Sequence, residues 1–223
     1  MTIILTFEES VKNLMPRDVR NVCGEITDQK YNDYFMYHER NAPPIFYLKP
    51  YYKTIQIVFA RINFFAIQNL IENLEKNKNN FFGRKIKKIS TIEKSYSPPF
   101  FIGEQKIKYS TRTPILLSSN KIEYQMNYAF RLNNKEKEYI HKRIVSDLEY
   151  QLKSYLAIEQ DFNNLKLDFS FYKIFMEKYK EGENKVALLA NFTSNYRLPI
   201  SIGSSTGMGY GELFEGSFRQ DLK

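Results

Sequence analysis

The order of predicted elements in residues 1–97 constrains the fold of this chain more than any other feature. Apolar residues in alternation indicate strands, whereas apolar residues three or four apart indicate helices. The predicted elements are a strand at Thr2–Phe7, a helix that starts at Pro16 and ends before Asp33, strands at Ile45–Lys49 and Thr54–Ala60, a helix with apolar residues from Ile62 to Leu74, and a strand within Arg84–Tyr96. This strand-helix-strand-strand-helix-strand order is typical of the ferredoxin-like fold.

The pattern then starts again after Ser97-Pro98-Pro99, which is the predicted domain boundary between residues 1–97 and 98–223. The strongest helix of the chain follows Asn133, with apolar residues recurring every fourth position from Ile140 to Leu156. The predicted strands are Lys106–Leu117 (broken at Pro114), Ile122–Leu132, Leu167–Met176, Val186–Phe192 and Tyr210–Phe218. The second helix of this half is either lost or lies in Lys178–Lys185. We therefore predict an α+β protein of two tandem ferredoxin-like (RRM-like) domains with antiparallel sheets.

The charge of the chain favours a polyanionic partner. The formal net charge is +8 and the pI is about 9.3, which suits nucleic acid first and an anionic membrane surface second. The 16% aromatic content suits base stacking on a basic surface as well as ordinary β-rich cores. The single cysteine, Cys23, excludes an internal disulfide and a cysteine metal cage, and its helical spacing predicts a buried apolar role. No signal peptide or membrane span is apparent, so we expect a cytoplasmic protein without a membrane partner.

Four glycines lie close together near the end of the sequence, within Leu198–Glu212. They are Gly203, Gly207, Gly209 and Gly211. Glycine allows positive φ and close approach of a ligand to the main chain, and successive free amides can bind an anion. The dinucleotide and P-loop fingerprints do not fit, because no helix is predicted after the glycines and no Gly-Lys-Ser/Thr is present. A plain hairpin loop is the alternative to a phosphodiester-binding loop.

Two histidines are present, and their settings differ. His141 lies on the long helix beside a basic face, which indicates a structural or surface role. His38 lies in the polar and aromatic link between a helix and a strand, where catalytic groups concentrate, although a surface role is the alternative. Arg84, Lys85 and Lys87 lie on the last strand of the first domain. Strict alternation would put Lys85 and Lys87 on one face, as a phosphate track or simply a solvated face.

These segments together resemble the CRISPR-associated repeat-processing endoribonucleases. Ile202-Gly203 followed by Gly209-Tyr210-Gly211 resembles the Gly-hydrophobic-Gly signature of that family. The segment from Tyr37-His38 to a Pro44-led strand ending at Lys49 is similar to the family's histidine region. The run Arg112-Thr-Pro-Ile-Leu116 is like the opening of its second domain. The chain departs from the family where Ser204, Ser205 and Thr206 stand in place of a basic residue.

The resemblance implies a metal-independent endoribonuclease without cofactors that cleaves CRISPR precursor RNA within repeats, leaving 2′,3′-cyclic phosphate and 5′-hydroxyl ends. The implied catalytic residues are His38, Lys49, Tyr34 and Tyr37. The implied RNA-binding residues are Gly203, Gly207, Gly209, Gly211, Ser204, Ser205, Arg84, Lys85, Lys87 and Arg112. Effector-complex proteins are further candidate partners, and the protein is expected as a monomer or homodimer. The alternatives are a non-catalytic repeat-RNA-binding subunit of a CRISPR ribonucleoprotein, and a basic ferredoxin-like protein with no nucleic-acid role.

Overall fold

A computed structural model describes residues 1–36, 45–59, 64–93, 98–117, 134–156, 159–180, 183–206 and 209–216. The chain divides into two compact units. Unit 1 comprises Met1–Ser97, Ser154–Ile158 and Gly207–Gly209. Unit 2 comprises Pro98–Lys153, Glu159–Thr206 and Tyr210–Lys223.

Unit 1 is built on one antiparallel sheet in the order β2-β3-β1-β4. Its elements are β1 (Thr2–Phe7), α1 (Pro16–Ile26), α2 (Gln29–Met36), β2 (Ile45–Tyr47), β3 (Thr54–Phe59), α3 (Phe64–Lys76) and β4 (Ile86–Ile92). This strand order is the one that two interlocked strand-helix-strand halves produce, so the ferredoxin-like prediction is confirmed for this half.

The core of unit 1 lies on one face of that sheet. Ile3 and Leu5 of β1 pair with Ile57 and Ile55 of β3, and all four side chains are fully buried. The helices contribute their own apolar stripes, including Val19, Cys23, Leu70 and Leu74. Burial raises the pKa of the Cys23 thiol, which keeps it protonated and apolar.

One helix predicted to run almost to Asp33 is in fact two, because α1 ends at Ile26 and α2 begins at Gln29. Thr27 ends α1 in an extended conformation, and its hydroxyl donates to the Cys23 carbonyl at 2.5 Å. Asp28 then holds the junction against α3. Its amide donates to Asn69 Oδ1 at 3.0 Å, and its carboxylate accepts from Asn69 Nδ2 at 2.7 Å and from Asn73 Nδ2 at 3.2 Å.

Unit 2 repeats the arrangement with one helix fewer among its described residues. Its elements are β5 (Phe100–Phe101), β6 (Ile107–Thr111), β7 (Ile115–Leu116), α4 (Asn134–Leu156), β8 (Leu167–Lys180), β9 (Glu183–Ser194), β10 (Tyr196–Arg197) and β11 (Leu213–Glu215). The antiparallel sheet runs β11-β6-β9, with β7 also on β9 and β8 paired with β9 as well.

The predicted helix in Lys178–Lys185 is wrong. The segment forms the end of β8 and the start of β9, with Lys178 opposite Asn184 and Glu177 opposite Lys185. The described part of the connection from β9 to β11 contains β10 and no α-helix, so the second helix of the repeat is absent from those residues. The predicted strand at Ile122–Leu132 lies outside the described residues, and the last strand is shorter than predicted.

Helix α4 follows the predicted periodicity. Ile140, Ile144, Leu148 and Leu152 are all fully buried. His141, on the same helix, lies 2.6 Å from the Leu165 carbonyl through Nε2, which is a structural hydrogen bond. No helix in the described ranges is long and apolar enough to span a membrane.

Candidate functional site

The glycine-rich loop between β10 and β11 needs its glycines for its own packing. Gly203 has φ +87°, and a Cβ there would lie 2.5 Å from Ile115 Cγ2. Gly211 has φ +70°, and a Cβ there would lie 1.8 Å from the Ile202 carbonyl oxygen. Both positions therefore combine a left-handed backbone with protein atoms where a side chain would begin. These two glycines are explained without any ligand.

Several amides of the loop are already bonded within unit 2, among them those of Ser204 and Gly211. The Ser204 amide donates to the Leu116 carbonyl at 2.9 Å, and the Gly211 amide donates to the Pro114 carbonyl at 2.7 Å. The Ser204 hydroxyl also donates to the Leu116 carbonyl, at 3.1 Å. A phosphate held by this loop must therefore use other donors than these two amides.

Ser205 has a setting that the sequence did not indicate. It has φ +61°, which is uncommon for a residue other than glycine. Its hydroxyl donates to the Tyr179 hydroxyl at 3.0 Å. The Lys185 ammonium lies 3.7 Å from the centre of the Tyr179 ring, a cation–π contact. The β8–β9 hairpin thus brings a phenol and a cation to the glycine loop. Sequence reasoning missed both residues because it predicted no strand pairing in Lys178–Lys185 and considered a helix there.

Arg112 is paired within unit 2 rather than projecting alone. Its guanidinium donates to Glu212 Oε1 at 2.8 Å, and Glu212 is 2% exposed. The Glu212 amide donates to Thr113 Oγ1 at 2.9 Å, and its carbonyl accepts from the Arg112 amide at 2.7 Å. The pair therefore neutralises a buried carboxylate at the base of the loop. On the other side of the loop, Gln151 Nε2 donates to the Gly203 carbonyl at 2.8 Å.

Gly209 packs against residues of unit 1, to which the loop segment Gly207–Gly209 belongs. It has φ +86°, and a Cβ there would lie 2.1 Å from Pro16 Cβ and 2.9 Å from the Tyr47 carbonyl oxygen. Pro16 is the first residue of α1, and Tyr47 is the last residue of β2. Within unit 1, Gly209 therefore lies against the amino end of α1 and the end of β2, the strand that precedes Lys49.

The structure describes two of the four predicted catalytic residues, Lys49 and Tyr34. Lys49 is exposed in the connection between β2 and β3. Tyr34 lies on α2 and is half-buried against the core of unit 1. Tyr37, His38 and Gly207 lie outside the described residues.

The chain on either side of residues 37–44 is held firmly. The Phe35 carbonyl, near the end of α2, accepts from Arg20 Nε at 3.3 Å and from the Tyr47 hydroxyl at 3.4 Å. Tyr47 is fully buried, and that burial raises the pKa of its phenol well above the ordinary value. Ile45, the first residue of β2, pairs with Phe59 in the sheet. Sequence reasoning missed both residues: Arg20 belongs to no motif, and Tyr47 lies within the Pro44–Lys49 segment without any sign of its hydrogen bond to Phe35.

Of the basic residues predicted on β4, Arg84 and Lys85 precede the strand and Lys87 lies on it. The strand begins at Ile86, and an irregularity in its pairing with β1 occurs between Ile86 and Lys88. Lys85 makes an ion pair with Glu8 at 3.0 Å, whereas Lys87 is exposed. Arg84 donates to main-chain and side-chain oxygens of neighbouring loops (to the carbonyls of Ser10 and Phe82 and to Asn13 Oδ1).

The described residues contain no cluster of three or more His, Cys, Asp or Glu side chains that could hold a metal ion.

Comparison with solved structures gives matches over nearly the whole chain to CRISPR-associated RNA processing proteins, among others. The CRISPR RNA processing endoribonuclease Cas6b matches with a TM-score of 0.58 and 19% identity, over 96% of this chain and 98% of that one. The type IV crRNA endonuclease Csf5 matches with a TM-score of 0.60 and 12% identity, over 97% and 99%. The chain has the fold of the Cas6 endoribonucleases.

A Cas6 protein in a product complex also matches, with a TM-score of 0.59 and 9% identity, over 96% of this chain and 98% of that one. The tandem ferredoxin-like prediction is thereby confirmed at the level of the fold. No protein-family model matches the chain, and no curated protein matches it in sequence. The likeness to the Cas6 fold thus rests on the arrangement of elements.

Proposed function

We propose that this protein is an endoribonuclease that cleaves CRISPR precursor RNA within its repeats. The observation that carries the proposal is the fold shared with solved CRISPR RNA processing endoribonucleases over nearly the whole chain. The contact of Gly209 with the carbonyl of Tyr47 supports it locally, because within unit 1 this glycine lies beside the strand that leads into Lys49.

The proposed reaction needs only groups of the RNA and the protein. The 2′-oxygen of a ribose attacks the adjacent phosphorus, and the bond from phosphorus to the 5′-oxygen breaks. One group removes the 2′-hydroxyl proton and another protonates the leaving 5′-oxygen, which yields a 2′,3′-cyclic phosphate and a 5′-hydroxyl. Proton transfer by a positioned side chain contributes about 10²–10⁴-fold.

His38 is proposed as the base or the acid, because an imidazole exchanges protons near neutral pH. Lys49 is proposed to stabilise the additional negative charge on the phosphorane. Tyr34 and Tyr37 are the candidates for orienting His38 or for sharing the proton transfer. The two hydrogen bonds to the Phe35 carbonyl support this assignment, since they hold the end of α2 from which the histidine segment departs.

The RNA-binding role is proposed for the loop and for the exposed cations. Ser204, Ser205, Gly203, Gly207, Gly209 and Gly211 form the proposed phosphate-binding loop, with Arg84, Lys85, Lys87 and Arg112 as basic contacts. Lys87 is the best candidate among these four cations, because the other three have oxygen partners within the protein. Tyr179 and Lys185 join the proposed set, since they contact Ser205 directly or through one ring.

The decisive experiment compares wild type with His38→Ala on a repeat RNA from the same genome. We expect wild type to cut once per repeat in EDTA and His38→Ala to bind within a few-fold of wild type without cutting. The product ends should resist phosphatase until the cyclic phosphate is opened by acid. His141→Ala is the matched control and should retain cleavage. His141 lies on α4, and its imidazole makes a structural hydrogen bond with the Leu165 carbonyl.

Three outcomes would contradict the proposal in different ways. Full cleavage by His38→Ala removes His38 from the mechanism. Dependence on Mg²⁺ indicates another class of nuclease. Tight repeat binding without cleavage by wild type supports the alternative, a non-catalytic repeat-RNA-binding subunit.

A further inference from the structure

Two tight turns in unit 1 carry a bulky aromatic residue where local geometry favours glycine or asparagine. In the first, Tyr51 and Thr54 exchange main-chain hydrogen bonds of 2.9 and 2.8 Å, and Tyr52 between them has φ +48°. In the second, Phe81 and Arg84 exchange bonds of 3.0 and 3.1 Å. The central residues of that turn are Phe82, with φ +53°, and Gly83, with φ +68°.

Positive φ at the first central residue of a two-residue turn is usually met by Gly, Asn or Asp. A bulky side chain in this conformation is an outlier. Both side chains are exposed, Tyr52 to 61% and Phe82 to 38%, and the Phe82 ring also meets the buried Phe81 ring edge-on at 5.7 Å. A local rule broken twice at exposed aromatic side chains is the pattern expected of residues kept for binding.

The two turns lie at the same end of the sheet. Strands β3 and β4 both start beside the carboxyl end of β1, where Thr54 pairs with Thr6 and Ile86 pairs with Phe7. Lys49 belongs to the same β2–β3 connection as Tyr52. The turns are therefore at the end of unit 1 that carries the proposed catalytic lysine.

Ser10 ties the two turns together. The Tyr52 carbonyl accepts from the Val11 amide at 2.6 Å and from the Ser10 hydroxyl at 3.3 Å. The Ser10 carbonyl accepts from Arg84 Nε at 3.2 Å, and the Arg84 guanidinium also donates to the Phe82 carbonyl at 3.3 Å. Both aromatic side chains are thus presented from one hydrogen-bonded framework.

One lysine lies near the Tyr52 ring, and two other lysines of unit 1 are exposed. Lys53 Nζ lies 5.8 Å from the centre of the Tyr52 ring, and Lys12 and Lys87 are exposed. Exposed aromatic rings interspersed with lysines are the surface that binds single-stranded nucleic acid, because the rings stack on bases and the cations follow the phosphates. A protein-docking surface would instead present a continuous apolar patch.

We propose that Tyr52 and Phe82 form a stacking platform for unpaired bases of the RNA strand that continues past the proposed cleavage site. This inference rests on the proposed function, since it takes the bound RNA from there. It adds a second contact region, the aromatic turns (Tyr52 and Phe82), to the glycine loop.

The test measures, by fluorescence anisotropy, the Kd for a repeat RNA that carries a single-stranded extension. All proteins in this test carry His38→Ala to prevent cutting. The double variant Tyr52→Gly/Phe82→Asn should weaken binding of the extended RNA by roughly 5- to 100-fold for each stacked base lost. Binding of an RNA without the extension should stay within about two-fold. The new residues suit the turns, so the thermal midpoint should be unchanged or raised.

Three further variants keep the test decisive. Tyr52→Leu/Phe82→Leu removes the aromatic face but keeps an apolar side chain, and it should lose binding, whereas Tyr52→Phe/Phe82→Tyr should bind like wild type. Tyr150→Ser removes an exposed aromatic of α4 as a control. Wild-type affinity in the leucine variant, or an equal loss in Tyr150→Ser, overturns the proposal.

Failure of this inference is distinguishable from failure of the proposed function. If wild type cleaves the repeat and the variants of the aromatic turns bind the extended RNA as wild type does, only the stacking platform is wrong. If wild type neither binds nor cleaves repeat RNA, the proposed function itself is wrong.

Discussion

Replacing Gly211 with alanine should destabilise unit 2 through one main-chain clash. The added Cβ would meet the Ile202 carbonyl oxygen at 1.8 Å and the Ile202 carbonyl carbon at 2.9 Å. These atoms belong to main chain that is bonded to the loop, because the Ile202 amide donates to the Gly211 carbonyl at 3.0 Å. The clash can be relieved only by moving backbone, which puts that bond and the 2.7 Å bond from the Gly211 amide to the Pro114 carbonyl at risk.

The expected loss in the free energy of unfolding has two contributions. A non-glycine residue with positive φ costs about 1–2 kcal/mol, and each weakened buried hydrogen bond costs about 1 kcal/mol. The sum is about 3–4 kcal/mol. For a chain of this size that corresponds to a fall in Tm of roughly 6–16 °C.

Gly103→Ala is the matched control. Gly103 also lies in unit 2 and has φ +75°, but a Cβ there has nothing within 4 Å. The Gly103→Ala variant should lose only the free energy that positive φ costs a non-glycine residue, about 1–2 kcal/mol. Thermal and urea unfolding of both variants measures the difference. Equal destabilisation of the two variants would refute the argument that Gly211 is required by the neighbouring carbonyl.

Three other perturbations have defined outcomes. Lys49→Ala should slow repeat cleavage by about 10²–10³-fold at saturating RNA, whereas unchanged single-turnover rates would exclude a role for this lysine in charge stabilisation. Arg112→Met should destabilise the fold by about 3–5 kcal/mol, because it removes the guanidinium that neutralises the buried Glu212 carboxylate. Adding Glu212→Gln should recover part of that loss in urea unfolding, and no recovery would contradict the pairing argument. Burial raises the pKa of Tyr109 to about 12 in the folded protein. Below the ordinary pKa near 10, the phenol is protonated in both the folded and the unfolded protein. As the pH rises from about 10 to 12, the phenol of the unfolded protein ionises first, so the free energy of unfolding falls. Tyr109→Phe should flatten that part of the stability curve, and an unaltered slope would show that other groups dominate it.

The hairpin of β8 and β9 shows why one helix was predicted wrongly. Residues Lys178–Lys185 are rich in Lys and Glu, which have good intrinsic helix propensity. The strands instead continue into this segment, and cross-strand neighbours such as Glu177 and Lys185 replace helical ones. Local propensity is a weak preference that long sheet pairing overrides.

The glycine loop shows a different limit of sequence reasoning. The cluster was recognisable, and a positive φ at several of its glycines is confirmed. The sequence could not reveal that Gly203 and Gly211 face protein atoms, because those atoms belong to Ile115 and Ile202. Nor could it reveal that Arg112 is paired with Glu212, one hundred residues away.

Sequence alone determined the ferredoxin-like order of unit 1 apart from the break between α1 and α2, the apolar faces of α1, α3 and α4, and the tandem ferredoxin-like architecture. These properties follow from periodic burial, which is written into residues close together along the chain. Only the tertiary structure decided which glycines pack against protein, which cations are paired, and which aromatics are exposed on strained turns. Those properties depend on contacts between residues distant in sequence, and no local pattern encodes such contacts.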